Sequence, residues 1–442
     1  MTDLTGVVLA MACLGLPALA ATAAGAENPL SPEAVEARIQ KHRTAQVTLT
    51  VLGADGQPCA GREVTVRQVG HKFLFGCNFF GLKPGDSSPL QKAYQDRYTA
   101  LLNYATLPFY WGGFERAEGQ TDTARVLAMA RWCGDHGIAT KGHPLCWHEV
   151  KPRWLGGKSL EDVERLQLGR IGREVGAFRE VIPRWDVVNE AVRMPTFDLE
   201  KNEIAQLCKK VGAPELIRRT FAAARQADPK ATLLLNDFDT SPAFEKLVAD
   251  SLKAGAPIDV IGIQSHMHGG YRGAGFAWAV CERFARFGKP LHFTELTIIS
   301  GEIKKSIRWG GPAYGDWVST PEGEARQARE VEEFYRVLFS HPAVEAVTWW
   351  DFSDHGAWLG APSGLVRKDM SPKPAYEALL AMVKGEWWTA PQKLRTDAQG
   401  RVTFRAWLGD YRVEQAGGAA AAFAVAAPGT AAVRARLASG GK

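Results

Sequence analysis

The sequence predicts an α/β protein: a (β/α)8 TIM barrel with a small β element before it and a small β module after it. Three observations lead there. Between residues 73 and 383, eight short apolar or β-branched runs alternate with eight amphipathic stretches, the pattern of parallel strands each followed by a helix. Polar and aromatic side chains gather at the C-terminal ends of those runs, where such barrels hold their working residues. The competing doubly wound sheet would want a glycine-rich phosphate turn after its first strand, and Gly76-Cys77-Asn78 does not supply one.

In chain order, residues 1–26 read as a signal peptide. An apolar run over 7–20 is followed by Ala24-Gly25-Ala26, a small-residue cleavage pattern, although Asp3 stands where a basic n-region is usual. This predicts a secreted or periplasmic protein, and the run is too short for a good membrane span. Residues 27–72 form the first β element: a helix over 31–43, then alternating strands over 46–52 and 63–69 around the turn Ala54-Asp55-Gly56-Gln57-Pro58. The barrel takes residues 73–385. Its strands are predicted at 73–79, 104–111, 140–145, 184–189, 232–236, 260–265, 291–295 and 346–351. Helices are predicted at 89–102, 123–136, 160–179, 214–227, 241–254, 274–287, 321–340 and 374–383. A β module follows over 386–430, with a hairpin at 393–405 turning on Asp397-Ala398-Gln399-Gly400 and short strands near 409–413 and 423–426. The Ala/Gly-rich residues 431–442 read as a disordered tail.

A net charge of +5 spread along the chain gives no basic stripe, which argues against nucleic acid as a partner. Cys59, Cys77, Cys133, Cys146, Cys208 and Cys281 show no C-x-x-C spacing, so no zinc site is predicted, and Cys77 and Cys146 fall in strands as buried thiols. With 14 Trp and 9 Tyr the chain is rich in rings that can stack on sugars, though Trp is also a common core residue.

The chemistry centres on two strand ends. Trp185-Asp186-Val187-Val188-Asn189-Glu190 is a buried-strand pattern that delivers an amide and a carboxyl at its tip, and Leu291-His292-Phe293-Thr294-Glu295 delivers a second carboxyl. Glycosidic-bond cleavage needs such a pair, one as proton donor and one as nucleophile or base. Either Glu alone reads as well as an ordinary loop carboxylate.

The strings KGHPLCWH, WDVVNEAV, LLLNDFD, IGIQSHMH, HFTELTI and VTWWDFSDHGAWL, with the later PKPAYEAL, resemble in order the motifs of glycoside hydrolase family 10. The resemblance runs from about Phe73 to Met382. It implies a retaining β-1,4-glycanase, most often acting on xylan, that needs no cofactor and binds a polysaccharide or oligosaccharide. It makes Glu190 the acid/base, Glu295 the nucleophile and Asn189 the ligand of the sugar 2-hydroxyl. His143, Trp147, Gln264, His266, Trp350 and Trp358 match residues around the sugar at the scissile bond, and His148 joins them as a substrate-binding residue.

The second barrel strand departs from the family. Thr106, Leu107 and Tyr110 stand where Glu, Asn and Lys are expected, Val150 replaces a Gln, Thr297 an Asp, and Asp351 a Gly. A site short of hydrogen-bond partners disfavours hydroxyl-rich groups, so a shifted substrate preference is expected. Two other readings stand beside the leading one: a barrel glycosidase of different specificity, and a non-catalytic carbohydrate-binding barrel. A metal site drawn from His143, His148, His266 and His268 is a further rival, but no chelating spacing supports it. A monomer is expected.

Overall fold

The computed structural model describes residues 28–309 and 311–438; the expected signal peptide lies outside them. Ser31 caps the first helix, α1 (Pro32–Arg43), by accepting from the Ala34 N–H, with proline in the first turn. Strands β1 (Thr44–Leu52) and β2 (Glu63–His71) follow. The barrel strands are β3 (Leu74–Asn78), β4 (Tyr104–Pro108), β5 (Ala139–His143), β6 (Arg184–Asn189), β7 (Thr232–Asp237), β8 (Val260–Met267), β9 (Leu291–Ile298) and β10 (Val344–Trp349). They close in the order β10-β3-β4-β5-β6-β7-β8-β9, every neighbour parallel.

Each predicted barrel strand and helix is present, with ends moved by a few residues. Strand β4 stops at Pro108, short of the expected 111, and the chain turns at once into a single helical turn, Trp111–Phe114. The helix Glu203–Val211, between β6 and the helix Ala213–Ala227, was not anticipated. Its signals were local: Asn202 caps it by accepting from the Ala205 N–H, and Gly212 ends it at φ +86°.

The two β elements flanking the barrel are one body. After the barrel come β11 (Gln392–Arg395), β12 (Arg401–Trp407), β13 (Gly409–Gln415), β14 (Ala420–Val425) and β15 (Gly429–Arg436). They join β1 and β2 in two sheets, β12-β1-β15 and β11-β2-β13-β14. Val47, Leu49, Val64, Val66, Phe404, Tyr411 and Val413 share the core between the sheets. Two expectations are corrected. The segment at 393–405 is no hairpin: its strands go to opposite sheets because β12 pairs with β1 and β11 with β2. Residues 431–436 are not tail but strand, paired in parallel with β1, and Ala435 and Leu437 are buried. All six cysteines of the described residues are free, and Cys77 and Cys146 are fully buried.

Candidate active site

Register sets the site. Asn189 pairs with Asn236 across β6 and β7, and Gln264 with Glu295 across β8 and β9; Asn236 itself pairs with Gly262, two residues before Gln264, and the four side chains meet across that offset. Glu190, just past β6, adopts φ +57°, a left-handed conformation costing a non-glycine residue on the order of 1 kcal/mol. Its N–H donates to the Asn236 carbonyl (2.8 Å) and its carbonyl accepts from the Met194 N–H (3.1 Å), which fixes the turn. Gly262 is needed behind it, since a Cβ there would lie 2.6 Å from Asn236 Oδ1.

Three side-chain amides connect the two carboxyls. Asn236 Nδ2 donates to Glu295 Oε1 and to Asn189 Oδ1, both at 2.8 Å, while its Oδ1 accepts from the Thr294 hydroxyl (2.6 Å). Gln264 Nε2 donates to Asn189 Oδ1 and to Glu190 Oε1, both at 3.2 Å, and Asn189 Nδ2 reaches Glu190 Oε1 at 3.3 Å. This network orients the amides, because only one assignment of oxygen and nitrogen satisfies it.

The two carboxyls sit in opposite fields. Burial, then the negative charge of Glu295, pushes Glu190 up to about 8. Burial also raises Glu295, but His143, then the hydrogen bond and charge of His266, then Lys141, outweigh it and hold Glu295 below the ordinary value. His266 Nε2 lies 2.9 Å from Glu295 Oε2, and its Nδ1 is 3.0 Å from the Thr297 hydroxyl. Thr297, which replaces the usual Asp, sets its hydroxyl against Nδ1, where it can accept from the charged ring while Nε2 donates to Glu295. His143 Nε2 stands 3.9 Å from Glu295 Oε1. Its Nδ1 is held by Asp186 at 2.7 Å, and Asp186 pairs with the fully buried Lys141 at 2.6 Å. Burial raises the Asp186 carboxyl, but the Lys141 charge and then the His143 hydrogen bond prevail and keep it ionised.

The structure gathers most of the residues predicted to bind substrate. The His143, His266 and Trp358 rings all lie against the site: Trp350 is edge-on to His143 (5.4 Å) and His266 (5.8 Å), and Trp358 lies 4.7 Å from His266. Trp350 is largely buried, whereas Trp358 is 38% exposed. Asp351, in place of the usual Gly, is a fastener: it accepts from the Trp358 N–H (3.1 Å) and the Ser363 hydroxyl (2.7 Å), holding the Trp358 loop. Trp147 packs beside Tyr110 (5.6 Å). His148 is fully buried against Phe197 (4.4 Å), and burial lowers it to about 4, so it is neutral. Of the four histidines weighed as metal ligands, His143 and His266 are engaged as above. Among the described residues one grouping could hold an ion, His148 with Glu149 and Glu190, their ligand atoms within 4.8 Å of one another. The raised proton affinity of Glu190 opposes such use, because a carboxyl ligand must lose its proton.

Lys141, Asp186 and Asn236 were missed by sequence reading. The signal for Asp186 and Lys141 was a charge inside an otherwise apolar strand; Asn236 stood at a strand tip with no assigned task. At the departures in the second barrel strand, Thr106 and Leu107 are fully buried in β4, and Tyr110 emerges beside His143.

The sequence model of glycosyl hydrolase family 10 matches residues 98–382. The chain belongs to that family. Among its relatives is endo-1,4-beta-xylanase B of Thermotoga neapolitana, 29% identical over 259 residues, which covers 55% of this chain and 69% of the relative. Endo-1,4-beta-xylanase A of a Caldicellulosiruptor species is 28% identical over 269 residues, but the chain spans only 38% of its length. The crystal structure of native xylanase 10B from Thermotoga maritima superposes with a TM-score of 0.58 at 24% identity, covering 71% of this chain and 96% of the other, and bears out the barrel. This glycoside hydrolase family sets the frame for the two glutamates and their network. No helix of the described residues is long and apolar enough to cross a membrane.

Proposed function

We propose that this family 10 member is a retaining glycoside hydrolase acting on β-1,4-linked xylan, with Glu190 as acid/base and Glu295 as nucleophile. One observation carries the reading: two carboxyls hung on a single amide network, one pushed to about 8 and the other held low. Near neutral pH Glu190 carries a proton and Glu295 does not. Glu190 gives its proton to the glycosidic oxygen while Glu295 attacks the anomeric carbon, forming a glycosyl-enzyme. Its own proton gone and Glu295 neutralised by the new bond, Glu190 then takes a proton from the attacking water and the sugar leaves. Asn189, braced by Asn236 and Gln264, is aimed at the sugar 2-hydroxyl. The xylanase names of the relatives support xylan as the substrate. In the same reading the protein is a monomer, exported by the segment 1–26.

The test is release of reducing ends from xylan and of nitrophenol from aryl β-xylosides, by the wild type, Glu190→Ala and Glu295→Ala. Unchanged activity in either variant overturns the assignment. Formation of a β-glycosyl azide by Glu190→Ala in azide supports retention; an α-azide counts against it.

A further inference from the structure

The side of the cleft beyond Glu295 is closed by rings. Tyr110 and Trp350 each meet His143 edge-on at 5.4 Å. Phe80, in the turn after β3, meets the same two rings edge-on, Tyr110 at 5.8 Å and Trp350 at 5.6 Å. His143, Tyr110, Phe80 and Trp350 thus form a closed circuit of four edge-to-face contacts, each at direct packing distance. No sugar ring lies between members of such a circuit. Strand β4 offers a sugar no accessible hydrogen-bond partner below it: Leu107 belongs to the barrel core, and Thr106 is fully buried. Val150, in the next loop, is 51% exposed with its carbonyl taken by the Gly112 N–H (2.7 Å).

The direction of the sugar chain follows from the chemistry. The leaving oxygen must rest against the proton donor Glu190, so the sugar being transferred extends the other way, past Glu295 and toward His143, which begins the circuit. We propose, on the basis of the functional reading above, that Phe80 and Tyr110 confine recognition on this side to a single sugar: a second sugar meets packed rings instead of hydroxyl partners. Sites that do pair with substrate hydroxyls discriminate by about 10,000-fold or more, and that gain is forgone here.

The experiment compares 4-nitrophenyl β-xyloside with 4-nitrophenyl β-xylobioside on the wild type and on Phe80→Ala, with Glu295→Ala as blank. The expected kcat/KM for the xylobioside is within about tenfold of that for the xyloside, the scale set by one small apolar contact. Phe80→Ala, which opens the circuit, is expected to raise that ratio. A wild-type preference for the xylobioside above about tenfold, or a ratio unmoved by Phe80→Ala, overturns the proposal and leaves the assignment of the glutamates standing. Turnover of neither substrate above the blank overturns the functional reading itself, and this proposal with it.

Discussion

Across the tips of β6, β7, β8 and β9 the cleft floor is a net of directional bonds, whereas across β3, β4 and β10 it is rings packed on rings. In the first region Asn189, Asn236, Gln264 and His266 each serve at least two partners, so both glutamates are tied into one set of donors and acceptors. In the second, Tyr110, Phe80 and Trp350 hold one another, and close on His143 of β5, by ring contact. Bonds of fixed direction suit a reaction that needs a proton and a nucleophile in register. Packing suits exclusion. Changes in the first region should therefore strike turnover, and changes around the second should alter which substrate is taken.

The largest effect belongs to Glu295→Ala, expected to lower kcat by about ten-thousandfold or more on every substrate, measured by initial rates. Glu190→Gln should cost about 100- to 10,000-fold on xylan and much less on an aryl glycoside whose leaving group needs no proton. The pH profile belongs to the same pair. Activity requires the proton on Glu190, so kcat/KM should fall as pH rises through about 8. Its acid limb should lie below the ordinary carboxylate range, where Glu295 becomes protonated. Asn236→Ala removes a donor to the ionised Glu295; a loss of roughly 100-fold in kcat is expected, with little change in KM. The acid limb should move upward in the same variant, because Glu295 then holds its proton more tightly. A variant with unchanged pH profile would reduce Asn236 to packing and blur the contrast between the regions. The smallest effect is expected at Asp351→Ala, which loses the bonds from the Trp358 N–H and the Ser363 hydroxyl and frees the Trp358 loop: about a three- to tenfold rise in KM, with kcat held.

Much of this was legible in the sequence, for identifiable reasons. A barrel strand is short, apolar and followed by a helix of the right period, so β6 could be bounded to the residue. Its tip could be found because Asn189 and Glu190 break the apolar run. What could not be read was anything depending on a partner far along the chain. Alternation marks β1 and β12 as strands but does not say that they pair, and the hairpin expected at 393–405 failed on that point. Phe80 drew no notice because nothing in sequence says which rings will meet, while Leu107 and Thr106, at positions where polar ligands are expected, are interior. The same limit hid Asn236, whose task exists only where three strands meet.

Strand β1 lies between β12 and β15, pairing Thr50 with Arg401 on one edge and with Arg434 on the other. As the ribosome delivers the chain, this early segment has no sheet to join until the whole barrel has been made. Its Val47, Leu49 and Val51 take their cover from strands at the far end of the chain, and contacts of such sequence separation are slow to form.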